Sequence, residues 1–563
     1  MARKLRAALI AVAALLLFLN SVYNHLFHGP PSDVLLASPL HLYLQTNPNL
    51  ALSVHKQEQE KQEVDYKISR HVTALKEPTP TVSILIPAWE VLIILPPETP
   101  PPPSAACLFP NNIISTATPY GFLSAPFRTA FKCELPASLR RRAPFPQPVL
   151  FSPEENTLPP PPAVIETPAP ELLRWNFLVY ESITTENDVV LFVKGLINRQ
   201  SSSRSPTDFA CVFGDDVSTG VRTAVTSSVQ EVFRCQIPKL TPAIPPSKTK
   251  ISLEISQQNR LVPSVAYYTP PRKIATEQPK SLLCACTMVY NVAKFLKEWV
   301  IYHSAIGVQR FILYDNGSDD DLERVVEDLT QSGYDVTTTY WIWAKTQEAG
   351  FSHCALRAKD TCKWVAFVDV DEFIYSPSWV NSLSPSQTML RGLLPKMESS
   401  SIGQVMISCH EFGPSHRESN PKEGVIQGYN FRRKYENRHK SIVLLDALDE
   451  SLLNVIHHFQ LKQGYKVKKL RTEAMAVNHY KYQAWAEFKI KFRRRVSAYV
   501  ADWTEEVNPN SNDRTPGLGY VPVEPKGWTG KFCEVYDDRL RELTRRWFGF
   551  GLSSEQHNGL QES

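Results

Sequence analysis

The stretch that decides the fold is Trp364-Val-Ala-Phe-Val-Asp369-Val-Asp371-Glu372-Phe373. Its apolar first half is rich in β-branched and aromatic residues, which is typical of a strand buried inside a sheet. Because a strand covered on both faces does not accommodate carboxylates, we expect Asp369, Asp371 and Glu372 where the chain leaves the sheet. Alternation places Asp369 and Asp371 on the same side. Two converging carboxylates predict a Mg2+ or Mn2+ site that also holds phosphates, with an acidic surface turn as the alternative.

Strand-like and helix-like segments alternate before this stretch. Apolar runs predict strands at residues 282–289, 310–314 and 336–343, and helical periodicity predicts helices at residues 293–306, 319–329 and 347–362. This alternation favours an α/β fold with a mostly parallel sheet and right-handed crossovers. In such sheets, ligands bind beyond the carboxyl ends of the strands.

Polar pairs follow three of the predicted strands at that edge: Tyr290-Asn291, Asp315-Asn316, and Asp369 with Asp371. The sequence of this region contains neither a GxxxxGK(S/T) loop nor a GxGxxG turn, which excludes a P-loop NTPase and a dinucleotide dehydrogenase. Phosphate charge would then be neutralised by a metal held by the two aspartates. The combination favours transfer from a nucleotide sugar over hydrolysis.

Two later residues are candidates for the same site. His479 is the predicted third metal ligand, and a hydrogen-bonded structural histidine is the alternative. Lys440 is predicted to reach a diphosphate, and an exposed salt bridge is the alternative.

Length and charge set the outer limits of the interpretation. The chain has 563 residues, which predicts two or three domains, and a formal net charge of +4, which gives no reason to expect a nucleic-acid partner. Residues 1–6 are predicted to form a cytosolic tail and residues 7–27 a transmembrane signal anchor, with a cleaved signal peptide as the alternative. Residues 28–80 are then a lumenal stem.

Residues 81–275 have a different texture, in which short β-prone runs are separated by proline clusters. This pattern predicts an all-β module with polyproline connections. Its aromatic residues Trp89, Trp175 and Tyr180 either line a sugar-binding face or belong to the core. Two local disulfides, Cys107 with Cys133 and Cys211 with Cys235, and buried free thiols are both open for its cysteines.

Several motifs in order resemble glycosyltransferase family 92. They are Cys286-Thr-Met-Val-Tyr-Asn291, Tyr314-Asp-Asn-Gly-Ser318, Trp364 to Phe373, Phe412-Gly-Pro-Ser415, His439-Lys-Ser441, His457-His458 and Asn478-His-Tyr480. Within the family, the tract at residues 487–499 and the N-terminal β module are similar to the plant β-1,4-galactan synthases.

The resemblance implies a type II, single-pass Golgi membrane protein with a lumenal GT-A type domain at residues 276–505. A carbohydrate-binding-like module would precede that domain, and a C-terminal extension at residues 506–563 would pack on it. The implied reaction transfers galactose from UDP-galactose to β-1,4-galactan side chains of pectin with a divalent cation, usually Mn2+. A homodimer is also allowed, because such assemblies are common among Golgi transferases.

Site residues follow by position from the same resemblance. Asp369 and Asp371 would bind the metal and UDP, and His479 would complete the metal site. The residues that would line the nucleotide pocket are Tyr290, Asn291, Asp315 and Asn316.

An inverting transferase also needs a carboxylate base, for which Asp446 and Glu411 are the candidates. The pair Leu444-Leu445 stands where relatives tend to have Arg-Pro. This departure keeps open a catalytically impaired protein that binds or scaffolds wall polysaccharide. A family 92 transferase with another donor or acceptor is the third possibility.

Overall fold

The structure is a computed structural model. It describes residues 81–549 except 103, 125, 141–143, 154–170, 198–203, 215–218, 240–248, 270–279, 396–400, 456, 497–516 and 519–520. The predicted tail, anchor and stem therefore lie outside the described residues. Within the described ranges, no helix has both the length and the apolar character needed to cross a membrane. All described residues belong to one compact unit.

The regular secondary structure of the described residues before position 270 consists of strands and single-turn 3-10 helices. The strands are β1 (Val82–Ile86), β2 (Glu90–Ile94), β3 (Ala106–Phe109), β4 (Ile113–Thr116), β5 (Thr118–Ser124), β6 (Phe127–Glu134), β7 (Val149–Phe151), β8 (Leu173–Arg174), β9 (Leu178–Thr184), β10 (Asp188–Lys194), β11 (Phe209–Phe213), β12 (Val221–Val229), β13 (Val232–Gln236), β14 (Ile251–Ile255) and β15 (Arg260–Val262). They form sheets with the orders β5-β6-β2-β1-β8, β4-β3-β7 and β15-β14-β11-β12-β13-β10-β9.

Disulfides are formed in both halves of the described chain. The two local pairs considered from the sequence, Cys107–Cys133 and Cys211–Cys235, are formed. Two further disulfides were not predicted from the sequence: Cys284–Cys362 and Cys286–Cys354. Each joins cysteines separated by 78 and 68 residues, respectively, a distance at which sequence spacing does not indicate a partner.

A second set of elements follows residue 280. The helices are α1 (Ala293–Ala305), α2 (Leu322–Gln331), α3 (Gln347–Ala358), α4 (Val425–Gly428), α5 (Trp485–Val496) and α6 (Arg539–Phe548). The strands are β16 (Ser281–Val289), β17 (Arg310–Asp315), β18 (Val336–Tyr340), β19 (Cys362–Phe367), β20 (Glu372–Tyr375), β21 (Ile402–Glu411), β22 (Phe431–Arg432), β23 (His439–Leu444), β24 (Asn454–Val455), β25 (His458–Phe459), β26 (Lys466–Leu470), β27 (Ala476–His479), β28 (Gly517–Leu518), β29 (Val521–Pro522) and β30 (Val535–Tyr536).

Nine of these strands form the central sheet, in the order β18-β17-β16-β19-β23-β21-β27-β20 with β26 beside β21. The first four strands are parallel and are connected by α1, α2 and α3, which confirms the predicted α/β alternation. From β23 onward the sheet is mixed, because β23 runs antiparallel to both β19 and β21. The prediction of a mostly parallel sheet is thus correct for the first half only.

Helix α1 shows how the sequence pattern positions this half. It buries Leu296, Trp299 and Val300, which recur at helical spacing, against the sheet. The chain leaves the helix through Gly307, whose φ of +120° favours glycine. A Cβ there would lie 2.4 Å from the carbonyl oxygen of Gln387, so the close packing also requires glycine.

Aromatic residues fill the contact between the N-terminal strands and the central sheet. Trp175 and Trp343 stack with ring centroids 5.8 Å apart, and Tyr180 packs beside both. Trp175 and Tyr180 therefore belong to the core, which was one of the two interpretations of the sequence. Trp89, by contrast, is 41% exposed.

The described part of the C-terminal segment packs on the same unit. Leu540 and Leu543 of α6 are buried in the core beneath the sheet. The Gln427 amide nitrogen donates to the Thr544 hydroxyl at 2.8 Å. These contacts agree with a C-terminal extension that is integrated with the sheet.

Candidate active site

The acidic stretch forms a turn between two strands. β19 ends at Phe367 and β20 begins at Glu372. Asp369 and Asp371 therefore lie where the chain leaves the sheet, as predicted, whereas Glu372 begins the next strand. The Asp369 N–H donates to the Glu372 carboxylate at 2.9 Å, and the Glu372 N–H donates to the Asp369 carbonyl at 3.0 Å. Glu372 is fully buried beneath the turn and leaves Asp369 and Asp371 partly exposed at its rim.

Lys440 neutralises this turn from below. Its ammonium group lies 2.8 Å from Asp369 Oδ2 and 2.7 Å from Glu372 Oε1, and the residue is only 6% exposed. Burial raises the pKa of Asp369, but the attraction of the Lys440 ammonium outweighs burial and holds that pKa well below its usual range. Burial lowers the pKa of Lys440, and the two carboxylates reverse this and raise it. Lys440 is therefore a buried ion-pair partner, which excludes the alternative of an exposed salt bridge.

His457 supports Lys440 from the other side. Its Nε2 lies 2.6 Å from Lys440 Nζ, and the residue is 3% exposed. Burial, and secondarily Lys440, lower the pKa of His457 well below its usual value, so the imidazole is neutral and accepts from the ammonium. Its φ of +68° is uncommon outside glycine. The sequence pointed to His457 only as one of the paired histidines of the resemblance.

Asp371, Glu372 and His479 together form a candidate metal centre, with one ligand atom of each within 4.8 Å of the others. His479 Nε2 lies 3.7 Å from Asp371 Oδ2, and His479 Nδ1 lies 3.3 Å from Glu372 Oε1. Two carboxylates and an imidazole fit a divalent cation such as Mn2+. When bound, a cation supplies positive charge that neutralises a departing diphosphate. The sequence predicted Asp369, Asp371 and His479 as ligands and did not indicate Glu372. Lys440 contacts both Asp369 and Glu372.

The predicted nucleotide-pocket residues lie along the same edge. Asp315 ends β17 and is paired with Val289 at the end of β16, next to β19. Since neighbouring strands are 4.7–4.9 Å apart, Asp315 and Asp369 lie at strand ends about 10 Å apart across the sheet. Tyr290 and Asn291 follow β16 between them. The structure therefore brings the three predicted polar strand ends to one edge.

Local hydrogen bonds fix the Asp315–Ser318 turn. Asp315 is 5% exposed, and its Oδ1 accepts from the backbone N–H of Ser318 at 2.9 Å and from its hydroxyl at 2.6 Å. Burial raises the pKa of Asp315, and the Ser318 hydrogen bonds oppose that rise. The Ser318 hydroxyl in turn accepts from the backbone N–H of Asn291 at 3.1 Å.

The two predicted asparagines have structural partners. The amide oxygen of Asn291 accepts from the Asp319 N–H at 2.9 Å. The amide nitrogen of Asn316 donates to the carbonyl oxygens of Trp341 and Trp343 at 2.6 and 3.2 Å. The Asn316 amide thus joins the turn to the segment after β18. Its nitrogen is engaged by these two carbonyl oxygens, which does not favour the predicted contact with a nucleotide.

Glu411, one predicted base, lies in a closed ionic cluster. It is fully buried, and its oxygens lie 2.5 Å from Lys481 Nζ and 3.3 Å from an Arg433 nitrogen. Asn437 also donates to it at 3.1 Å. Burial raises the pKa of Glu411, but Lys481 outweighs burial and lowers that pKa to about 2. A carboxylate stabilised so strongly as the anion is a poor proton acceptor, so this geometry does not favour the base role.

Asp446, the other predicted base, lies at the wrong end of the sheet. It follows β23, and Leu444 near the end of β23 is paired with Trp364, five residues before Asp369. Because β23 runs antiparallel to β19, Asp446 is exposed at the edge opposite Asp369 and Asp371. The prediction of Asp446 as the base is therefore wrong.

Comparison with known proteins identifies relatives of the region that contains the candidate site. The family model for glycosyltransferase family 92 matches residues 280–514, which include every residue of the acidic turn and of the polar strand ends. A glycosyltransferase family 92 protein of Oryza sativa subsp. japonica is 43% identical over 397 residues, 67% of this chain and 67% of that protein. The chain belongs to glycosyltransferase family 92.

One more relative of the same family and two solved glycosyltransferase structures are also similar to this chain. A family 92 protein of Arabidopsis thaliana is 42% identical over 381 residues, 66% of each chain. Among solved structures, a mannosyltransferase from Pyrobaculum calidifontis in complex with GDP-Man and Mn2+ is 11% identical, covers 40% of this family 92 chain and 67% of its own, and has a TM-score of 0.26. Glucosyl-3-phosphoglycerate synthase from Mycobacterium tuberculosis is 14% identical over 32% of this chain and 64% of its own, with a TM-score of 0.18. Scores this low establish no shared mechanism.

Proposed function

We propose that this family 92 glycosyltransferase transfers galactose from UDP-galactose to the non-reducing end of β-1,4-galactan, and that it uses Mn2+. The galactose donor and the galactan acceptor come from the resemblance of the sequence to the plant galactan synthases. The inverting course of the reaction comes from the same resemblance, and neither carboxylate predicted as its base is in a favourable position.

One observation carries the nucleotide-sugar part of the proposal. Asp315 at the end of β17, Tyr290 after β16 and the acidic turn after β19 lie along a single edge of the parallel strands. A nucleoside diphosphate has a polar nucleoside at one end and a charged diphosphate at the other. The edge offers polar groups on one side and the candidate metal centre on the other, about 10 Å away across two strand spacings.

Each part of the site would then have a separate task. Asp371, Glu372 and His479 would hold the cation, and Asp369 at the rim would contact UDP. The ammonium of Lys440 lies within 2.8 Å of both Asp369 and Glu372. It holds the pKa of Asp369 low and opposes the rise that burial causes in the pKa of Glu372. Asp315 would hold the nucleoside from the β17 end. The ion pairs of Lys440 fix the positions of Asp369 and Glu372.

The cysteines support the proposed location in the Golgi lumen. Four disulfides are formed among the described residues, and two of them lie inside the central α/β unit. Disulfides persist in oxidising compartments and are rare in the cytosol. This agrees with a type II membrane protein whose catalytic part is lumenal.

The test is release of UDP by the full chain supplied with UDP-galactose and short β-1,4-galactan oligosaccharides, with Mn2+ and with EDTA. We expect metal-dependent release that requires the acceptor, together with longer oligosaccharides in the product. The Asp371→Asn variant is the matched negative control, since it keeps the size of the side chain and removes its charge.

Each other result has a defined meaning. Release with other acceptors only would retain the nucleotide-sugar transferase and overturn the galactan acceptor. No release with any acceptor, together with binding of galactan, would overturn the enzyme and favour a polysaccharide-binding protein.

A further inference from the structure

A hairpin of the N-terminal sheets reaches the nucleotide side of the candidate active site. Strands β5 and β6 pair with each other, and β5 packs on β18 at the edge of the central sheet. The rings of Phe122 and Tyr340 meet edge to face with centroids 5.4 Å apart. A Cβ at Gly121 would lie 3.0 Å from the Tyr340 ring, so the two strands are in close contact. This contact fixes the position of Tyr120, which precedes Gly121 in β5.

Tyr120 lies against the turn that carries Asp315. A Cβ at Gly317 would approach the Tyr120 ring and hydroxyl to 2.6–2.9 Å, which is closer than real side chains allow. Gly317 also has a φ of +80°. The phenol end of Tyr120 therefore occupies the space in front of the Asp315–Ser318 turn.

Charges around the ring agree with this position. The Lys132 ammonium lies 4.6 Å from the centroid of the Tyr120 ring and 3.2 Å from a Glu90 carboxylate oxygen. Burial raises the pKa of Tyr120, and the neighbouring charges of Glu90, Tyr290 and Asp315 add to the rise. Tyr120 thus shares its surroundings with two residues that the proposed function assigns to the nucleotide.

We propose that Tyr120 is a donor-binding residue contributed by the N-terminal sheet: it borders the nucleoside pocket beside Tyr290 and Asp315 and holds the Asp315–Ser318 turn. The ligand class is a nucleoside diphosphate, whose base or ribose contacts the phenol ring. The N-terminal strands are then part of the donor site. This inference rests on the proposed nucleotide-sugar transfer, and its test separates the two.

The experiment measures the Kd of UDP by titration calorimetry in the presence of Mn2+, on the full chain and on three variants. Loss of an aromatic contact to a base weakens binding by about tenfold or more, so Tyr120→Ala should raise the Kd about tenfold. Tyr120→Phe retains the ring and should stay within about threefold. Phe127→Ala is the matched control, because Phe127 is 52% exposed in the same hairpin and stacks on Phe122 rather than on the turn.

Steady-state kinetics with the donor provide a second readout. We expect Tyr120→Ala to raise the KM for UDP-galactose with little change in kcat, whereas general damage to the fold lowers the melting temperature and kcat together. If Tyr120→Ala does not give a cooperative melt, Tyr120→Leu preserves apolar packing at Gly317 and replaces it in both assays.

The outcomes distinguish the inference from the function on which it rests. A UDP Kd for Tyr120→Ala or Tyr120→Leu within twofold of the unmodified chain overturns the role of Tyr120 and leaves the proposed function standing. An equal rise in the UDP Kd of Phe127→Ala also overturns the role of Tyr120, because the effect would then belong to the hairpin as a whole. No binding of UDP by the unmodified chain overturns both.

Discussion

Two buried lysines, Lys440 and Lys481, each neutralise a fully buried glutamate, but their surroundings differ. Lys481 pairs with Glu411, whose second oxygen also accepts from Arg433 and Asn437. Lys440 pairs with Glu372 Oε1, and the same oxygen lies 3.3 Å from His479 Nδ1, next to Asp371. The first glutamate is enclosed by donors, whereas the second belongs to a group of ligand atoms that opens at the rim of the sheet.

The difference shows why burial and charge alone do not identify an active site. Both clusters are ionic and buried. They are also neighbours in the sheet, because Glu411 of β21 is aligned with His479 of β27. Only the Lys440 cluster has more acidic ligands than nearby cations, which leaves capacity for a metal. The Lys481 cluster has its charges already satisfied, so it stabilises the fold.

The largest expected effect tests the open cluster. Asp371→Asn should lower UDP-galactose turnover at least about 10³-fold, equivalent to about 4 kcal/mol of barrier, because it removes a predicted metal ligand. The free energy of unfolding should change by less than about 1 kcal/mol, since Asp371 lies at the rim. Turnover assays and urea denaturation measure the two quantities. Turnover within tenfold of the unmodified enzyme would remove the distinction between the clusters.

The enclosed cluster should respond in the opposite way. Lys481→Met leaves Glu411 buried without its nearest cation, and breaking a buried pair from one side costs about 3 to 4 kcal/mol of unfolding free energy. Urea denaturation measures the loss. The double variant Lys481→Met with Glu411→Gln is the control and should recover part of it. A variant with unchanged stability would show that the second cluster does not support the fold.

Glu298 extends the comparison to a buried carboxylate held by backbone groups. It is 4% exposed and accepts from the N–H groups of Val425 and Ile426 at 2.8 and 3.1 Å. Burial raises its pKa from 4.5 to about 7, and the two hydrogen bonds oppose that rise only partly. Between these two pH values the folded state binds more protons than the unfolded state, so stability falls as pH rises.

That linkage gives a measurable pH dependence. From about pH 4.5 to pH 7, ionisation of Glu298 should lower the free energy of unfolding by about 3 kcal/mol in total. Glu298→Gln loses this contribution, so the difference between its urea denaturation curves at pH 5 and pH 7.5 should shrink by a similar amount. If the free energy of unfolding depends on pH in the same way in Glu298→Gln and in the unmodified chain, Glu298 titrates as an ordinary glutamate.

Much of the first half of the central sheet is predictable from the sequence, because it depends on local pattern. Apolar runs and helical periodicity predict β16, α1, β17, α2, β18 and α3 in order, and parallel strands necessarily bring their polar ends to one edge. The amino-acid pattern alone therefore places Asp315 and Asp371 at this edge of the sheet. It places Glu372 in the turn but does not indicate it as a ligand, since its burial depends on the bend between β19 and β20.

The rest depends on contacts between distant segments. Tyr120 meets the Asp315–Ser318 turn only because β5 docks on β18, and no feature of its local sequence indicates that partner. Cys284 pairs with Cys362 of β19, and Cys286 pairs with Cys354 of α3, partners that sequence spacing does not reveal. The direction of β23 is not predictable either, because an apolar run carries no information on whether a strand is parallel or antiparallel.

Asp446 tests this last point with the smallest effect. Because β23 is antiparallel to β19, Asp446 is exposed at the edge opposite the acidic turn, so Asp446→Asn should leave turnover within twofold. The free energy of unfolding should change by less than about 0.5 kcal/mol, as expected for a surface substitution. The same turnover and urea assays apply, with Asp371→Asn as the contrasting variant of identical chemistry. A large loss of turnover in Asp446→Asn would place the catalytic base at the opposite edge and would contradict the sheet-edge site itself.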